Sequence, residues 1–147
     1  MKPRFLAPDK FEAVLTDRTT RSFLLRRHVY RVRWENGFAL QDRDGGLWRP
    51  HVEEFDSDGA SIPHPLDWLI PALDAFRYRR ATMGIHDPAC RYGKLEHWDT
   101  EMAGWRTVTV PREKADALLA QGIEAEGGWR LTQGVYWVGV RIGAVFG

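Results

Sequence analysis

The sequence predicts an α+β fold in which a small antiparallel β meander in the N-terminal half packs on three or four helices in the C-terminal half. Three observations predict it. Residues 28–34 alternate, with Val29, Arg31 and Arg33 on one side and Tyr30, Val32 and Trp34 on the other, the period of a half-buried strand. Asn36-Gly37 and Asp44-Gly45-Gly46 are turn signals of the kind that join short strands. Beyond Pro71 the apolar residues recur at helical spacing instead, which marks amphipathic helices. A chain of 147 residues and 17.0 kDa suits one domain over residues 1–147, large enough for a core without disulfides or a structural metal.

The elements follow in order. Residues 22–27 and 28–34 read as two short strands, residues 38–41 as a third after the Asn36-Gly37 hairpin turn, and residues 47–49 as a fourth. Pro63 and Pro65 give an extended entry to a short apolar segment, residues 66–70, which Pro71 stops or kinks. A helix is expected over residues 72–87, with Tyr78, Ala81, Thr82, Ile85 and Ala89 along its stripe and His86 at the stripe's edge. Pro88 should kink or end it, because proline lacks the backbone donor and clashes with the preceding turn. Residues 93–110, with His97, Trp98 and Trp105, are too long for a simple turn and read as a surface hairpin or flap. Pro111 opens the next helix, which runs to about Gln121 with Gly122 as its stop signal. Arg112 and Asp116 fall one turn apart on it, at the spacing of an intrahelical ion pair. A last helix over residues 131–145 carries Leu131, Val135, Val138, Ile142 and Val145 as its stripe, with Gly139 and Gly143 permitting close approach.

Composition narrows the functional classes. The single cysteine, Cys90, has no intrachain partner, and residues 1–14 carry charges where a secretory signal needs an apolar centre. Folding in a reducing cytosol is the expectation. The weakly polar run 134–147 contains Arg141 and falls short of the roughly 20 apolar residues of a bilayer span, so no transmembrane segment is expected. Net charge is +1, but residues 1–34 hold nine basic side chains against Asp9, Glu12 and Asp17. That basic quarter suits either a polyanion contact or a strand with solvated arginines, and no specific nucleic-acid motif accompanies it. Among the seven tryptophans, Trp34, Trp48, Trp98 and Trp105 suit a sugar-stacking or protein surface, and Trp68 and Trp137 suit the core.

The residues of catalytic type are Asp58, Ser61, His86, Asp87 and Asp116. Successive helical residues diverge by about 100°, so His86 and Asp87 need separate partners. Asp116, from a later helix, is of the type that orients an imidazole, which can then activate water. Ser61, His86 and Asp116 also make a nucleophilic triad in types, although Gly59-Ala60-Ser61 lacks the flanking glycines of a nucleophile elbow. Asp58-Gly59 can equally form a tight turn closed by its own carboxylate. Asp58, His64, His86 and Asp87 are metal-ligand types, without a compact zinc spacing.

The segment Phe55-Asp56-Ser57-Asp58-Gly59-Ala60-Ser61-Ile62-Pro63, the pair His86-Asp87, Arg112 with Ala115-Asp116, and the closing Tyr136 with Gly139-Val140-Arg141 together resemble the phage and prophage family called domain of unknown function 1353. The resemblance spans residues 54–143. It implies a phage or prophage origin, synthesis in the bacterial host cytoplasm and a place among virion- or tail-associated proteins, while the family itself carries no assigned activity. The His-Asp pair and the later Asp are also similar to the secreted phospholipases A-two. That similarity implies His86 as general base, Asp87 as ligand of calcium or another divalent cation, and Asp116 as the group that orients His86. Cys90 stands where both patterns favour tyrosine. Two functions follow as expectations: a hydrolase acting on a lipid or cell-wall substrate of the cell envelope, or a non-catalytic phage structural or accessory protein, partnered by other phage proteins, whose polar cluster holds the fold together.

Overall fold

The computed structural model of the chain describes residues 1–22, 25–57 and 77–128, together with Gln133 and Val138. Residues 20–22 and 25–27 are described by their backbone alone. Among the described residues eight strands run β1 (Arg4–Leu6), β2 (Phe11–Ser22), β3 (Leu25–Trp34), β4 (Ala39–Gln41), β5 (Leu47–Arg49), β6 (Glu54–Ser57), β7 (Lys94–Asp99) and β8 (Gly104–Thr109). A π-helical stretch, Arg80–His86, leads directly into α1 (Asp87–Tyr92), and α2 (Arg112–Ala125) follows β8. The strands form two antiparallel sheets, one ordered β1-β4-β5-β7-β8 and the other β2-β3-β6.

This corrects the expected fold class. The described residues are mostly β, with two α-helices where three or four were expected. The main cause lies in residues 94–109: they form the expected hairpin, β7–β8, but β7 also pairs with β5 and so extends a sheet begun in the first half of the chain. Asn36-Gly37 does turn the chain, with Gly37 at φ +106°, where a side chain is strained. It does not close a hairpin, because β3 and β4 belong to different sheets. Asp44-Gly45-Gly46 does close one, between β4 and β5. The buried Asp42 carboxylate orders that turn by accepting from the Asp44 and Gly46 amides at 2.9 and 2.8 Å and from Trp48 Nε1 at 2.8 Å.

Two apolar clusters meet at the π stretch. Leu40, Trp48, Leu95, Val110, Ala115 and Leu118 pack with Ile85 and Ala89 between the five-stranded sheet and the helices. Phe11, Val32, Trp34, Phe38 and Phe55 pack with Met83 over the three-stranded sheet. The π stretch and the start of α1 are thus a wedge between two cores, and every residue from 81 to 89 is buried. The expectation of one apolar stripe with His86 at its edge gives way to a segment buried on all sides, as a helix between two layers must be. Two glycines set the close approaches: a Cβ at Gly84 would lie 2.8 Å from the Phe11 ring, and one at Gly122 would lie 2.7 Å from Ala81 Cβ. Gly122 is therefore an interior contact of α2, which continues to Ala125, and not the stop signal expected of it.

Pro88 does not end the helix. The π stretch runs straight into α1, so the Pro88 ring follows a widened turn and not a regular one. The turn before it is wide: Thr82 N–H donates to Tyr78 O four residues back, whereas Asp87 N–H donates to Thr82 O five back. The expected helix over 131–145 and the apolar segment 66–70 lie outside the described residues except for Gln133 and Val138. Both of those are helical, and Val138, placed by sequence on the buried stripe, is 49% exposed.

Candidate functional site

His86 closes the π stretch and Asp116 lies one turn into α2, so the Gly122–Ala81 contact that draws the two segments together also brings their side chains into reach. His86 Nε2 and Asp116 Oδ1 are 2.8 Å apart, and both side chains have 0% exposure. The same carboxylate oxygen accepts from Arg112 Nε at 3.2 Å. A guanidinium one turn back along α2 thus supports the carboxylate that meets the imidazole.

Burial lowers the His86 pKa, against the opposing pull of Asp116. The imidazole is neutral at pH 7, and facing a carboxylate it carries its proton on Nε2 and donates it to Asp116. Nδ1 then holds the lone pair. It has no hydrogen-bond partner among the described residues, although a buried polar atom left unpaired costs about 1–3 kcal/mol.

Cys90 is the third side chain here, with Sγ 3.4 Å from His86 Nε2. Burial pushes its thiol up to about 11, so it is not a thiolate at neutral pH. The nitrogen it faces bears the proton shared with Asp116, which rules out a cysteine–histidine nucleophile in this arrangement. The role of Cys90 was missed from sequence, yet a signal was present: it is four residues after His86, one turn along the same helix.

Asp87 points elsewhere. Its carboxylate lies 3.4 Å from Arg91 Nη2, and Arg91 also donates to the Asp56 carbonyl, tying α1 to β6. Among the described residues Asp87 joins no cluster of three donors; the calcium that the phospholipase resemblance implies for it takes about six to eight oxygens. The donors that converge are those of His86, Cys90 and Asp116, within 4.8 Å of one another. Their nitrogen, sulfur and oxygen mixture suits a borderline metal, but the Arg112 guanidinium on the same Asp116 oxygen opposes a cation and favours the hydrogen-bonded dyad. Asp58, Ser61 and His64 lie outside the described residues.

The tryptophans expected at a stacking surface are mostly engaged. Trp34 and Trp48 are core residues. Trp98 and Trp105 form an edge-to-face pair at 5.5 Å, and the Arg49 guanidinium covers Trp105 at 4.0 Å while pairing with Glu96. Trp68 and Trp137 lie outside the described residues. Comparison of the chain with protein-family models, with curated proteins and with solved structures gave no match.

Proposed function

We propose that this protein is a phage- or prophage-encoded hydrolase in which His86 is the general base and Asp116 its positioning residue, acting on a lipid or cell-wall bond. One observation carries the reading: Asp116 fixes Nε2 and leaves the lone pair of Nδ1 without a partner among the described residues. A purely structural histidine ordinarily satisfies both nitrogens. In the reaction a water oxygen attacks the carbonyl carbon as its proton moves to Nδ1, and the charge that forms on the ring is stabilised through Nε2–H by Asp116. Collapse of the tetrahedral intermediate breaks the bond to the leaving group, which takes the proton back from Nδ1.

A second reading is favoured by the zero exposure of both side chains: the dyad is a buried polar tie between the π stretch and α2, in a non-catalytic phage structural or accessory protein. His86→Gln and Asp116→Asn separate the two. For the hydrolase, wild-type protein cleaves phospholipid vesicles or peptidoglycan, His86→Gln lowers the rate at least about a hundredfold, and both variants melt cooperatively. Absence of wild-type turnover on both substrates, with each variant destabilised by about 1–3 kcal/mol, establishes the scaffold instead.

A further inference from the structure

Two donors share one oxygen in the dyad. Asp116 Oδ1 faces His86 Nε2 at 2.8 Å and accepts from Arg112 Nε at 3.2 Å; the His86 and Asp116 side chains have 0% exposure, whereas that of Arg112 has 29%. Among the described residues, the charged and titratable groups that face the ring are Asp116 and Arg112 from α2 and Cys90 from α1. The strands packed on the π stretch, β2 and β5, meet it through Phe11 and Trp48, which carry no charge. The Cys90 thiol is protonated at neutral pH. The described charges that act on the imidazole are therefore one carboxylate and one guanidinium.

The two cations that this oxygen can meet differ in kind. A guanidinium keeps its charge throughout the working pH range, whereas an imidazole becomes a cation only by taking up a proton. With Arg112 in place, a protonated His86 would bring a second positive charge to an oxygen that already faces one, in an interior with little solvent to screen the repulsion. Without the guanidinium charge, the Asp116 carboxylate would favour the imidazolium, as an opposite charge within about 4–6 Å does. The difference decides the chemistry of the ring. Its Nε2 already bears a proton, so the next proton would consume the lone pair of Nδ1, and an imidazolium cannot take a proton from water. Arg112 acts on His86 in the same direction as burial does, and it does so from the far side of the carboxylate.

We propose that Arg112 is a positioning residue which keeps His86 neutral, and so able to act as a base through Nδ1, by holding a permanent cation on Asp116 Oδ1. The proposal rests on the hydrolase reading for the use of that base, whereas the protonation of the ring is read without turnover. It is tested by nuclear magnetic resonance of protein with isotope-labelled histidine, titrated from about pH 8 to 5, with His86 identified as the imidazole missing from the spectrum of His86→Gln. Arg112→Gln keeps an amide donor one turn from Asp116 and removes the charge, so the His86 midpoint should rise by at least about one pH unit. Arg112→Lys keeps the charge without the fork of donors, and its midpoint should stay near that of the wild type. Where the wild type cleaves phospholipid or peptidoglycan, the acid limb of kcat/KM should move up in pH with Arg112→Gln and the rate should recover at higher pH; loss of a merely structural contact lowers the rate alike at every pH. A raised midpoint in a protein that turns over neither substrate would sink the hydrolase reading and support the control of the ring by Arg112. A midpoint in Arg112→Gln no higher than in the wild type, or a rise as large in Arg112→Lys, would overturn the proposal. If Arg112→Gln does not fold, Arg112→Lys decides alone: a midpoint near the wild-type value supports it, and a rise of about one pH unit overturns it.

Discussion

Because burial holds the His86 pKa below its ordinary value, the stability of this protein should depend on pH in a direction fixed by that group. In the unfolded chain the imidazole takes up a proton as pH falls through about 6.5, whereas the folded chain resists it. The unfolded state therefore binds more protons in the window from about 6.5 down to the depressed folded value, and stability falls as pH falls. Linkage sets the ceiling: between pH 7.5 and 5.5 one such group removes at most about 1.4 kcal/mol, a sizeable part of the roughly 5–15 kcal/mol of an ordinary domain. Two other groups complicate the raw curve. Burial also lowers His51, a more accessible group that acts in the same direction, and raises Glu126, which acts in the opposite direction upward from about 4.5. The difference between wild type and His86→Gln isolates the imidazole. Urea denaturation at pH 7.5, 6.5 and 5.5 should show the wild type losing up to about 1.4 kcal/mol more than the variant. Parallel pH dependences would refute a neutral buried His86, and so would a wild type that gained on the variant in acid.

Three further expectations rest on individual contacts. Gly122→Ala places a methyl 2.7 Å from Ala81 Cβ and 3.2 Å from its Cα; overpacking of about 1–3 kcal/mol should exceed the helix-propensity gain of about 1, so the urea midpoint should drop, and an unchanged midpoint would contradict the close approach. Cys90, with its thiol near 11 against an ordinary 9.0, should hold about a hundredfold less thiolate than an unfolded control and react correspondingly slowly with a disulfide reagent; reaction at the unfolded rate would show that burial does not protect it. Millimolar calcium should leave the thermal melt unchanged, because Asp87 faces Arg91; a clear upward shift would reveal an oxygen cage completed by residues outside those described.

The legible parts of the fold were those where one physical signal dominated. The alternation of residues 28–34 marked the body of β3, and the glycines at 45 and 46 marked the β4–β5 hairpin. β2 was missed because its outer half, from Thr16 to Ser22, leaves the body of the sheet and has no apolar alternation to read. The β7–β8 hairpin is legible as a hairpin but not as part of the larger sheet, because only Leu95 among its strand residues is fully buried, while Lys94, Glu96, Asp99 and Arg106 give it a loop-like composition. The His86–Asp116 meeting was anticipated from residue types; its geometry was not, since it depends on the Gly122 contact and on a wide helical turn that no sequence period announces. Cys90 was visible only as a spacing.

That wide turn gives the segment a tolerance of chain length that an ordinary helix lacks. A π turn spends about one residue more than an α turn on the same full rotation, so losing a single residue between positions 80 and 85 would let the stretch relax toward ordinary α geometry with the segments on either side still facing as they do. In α1 the same loss would rotate everything beyond it by about 100°. An in-frame loss of one codon within the stretch should thus leave the imidazole on the side of its carboxylate. Such a deletion variant should show a native-like far-ultraviolet spectrum and keep the His86-dependent part of the acid destabilisation; loss of that part would mean that the wide turn does not absorb the deleted residue.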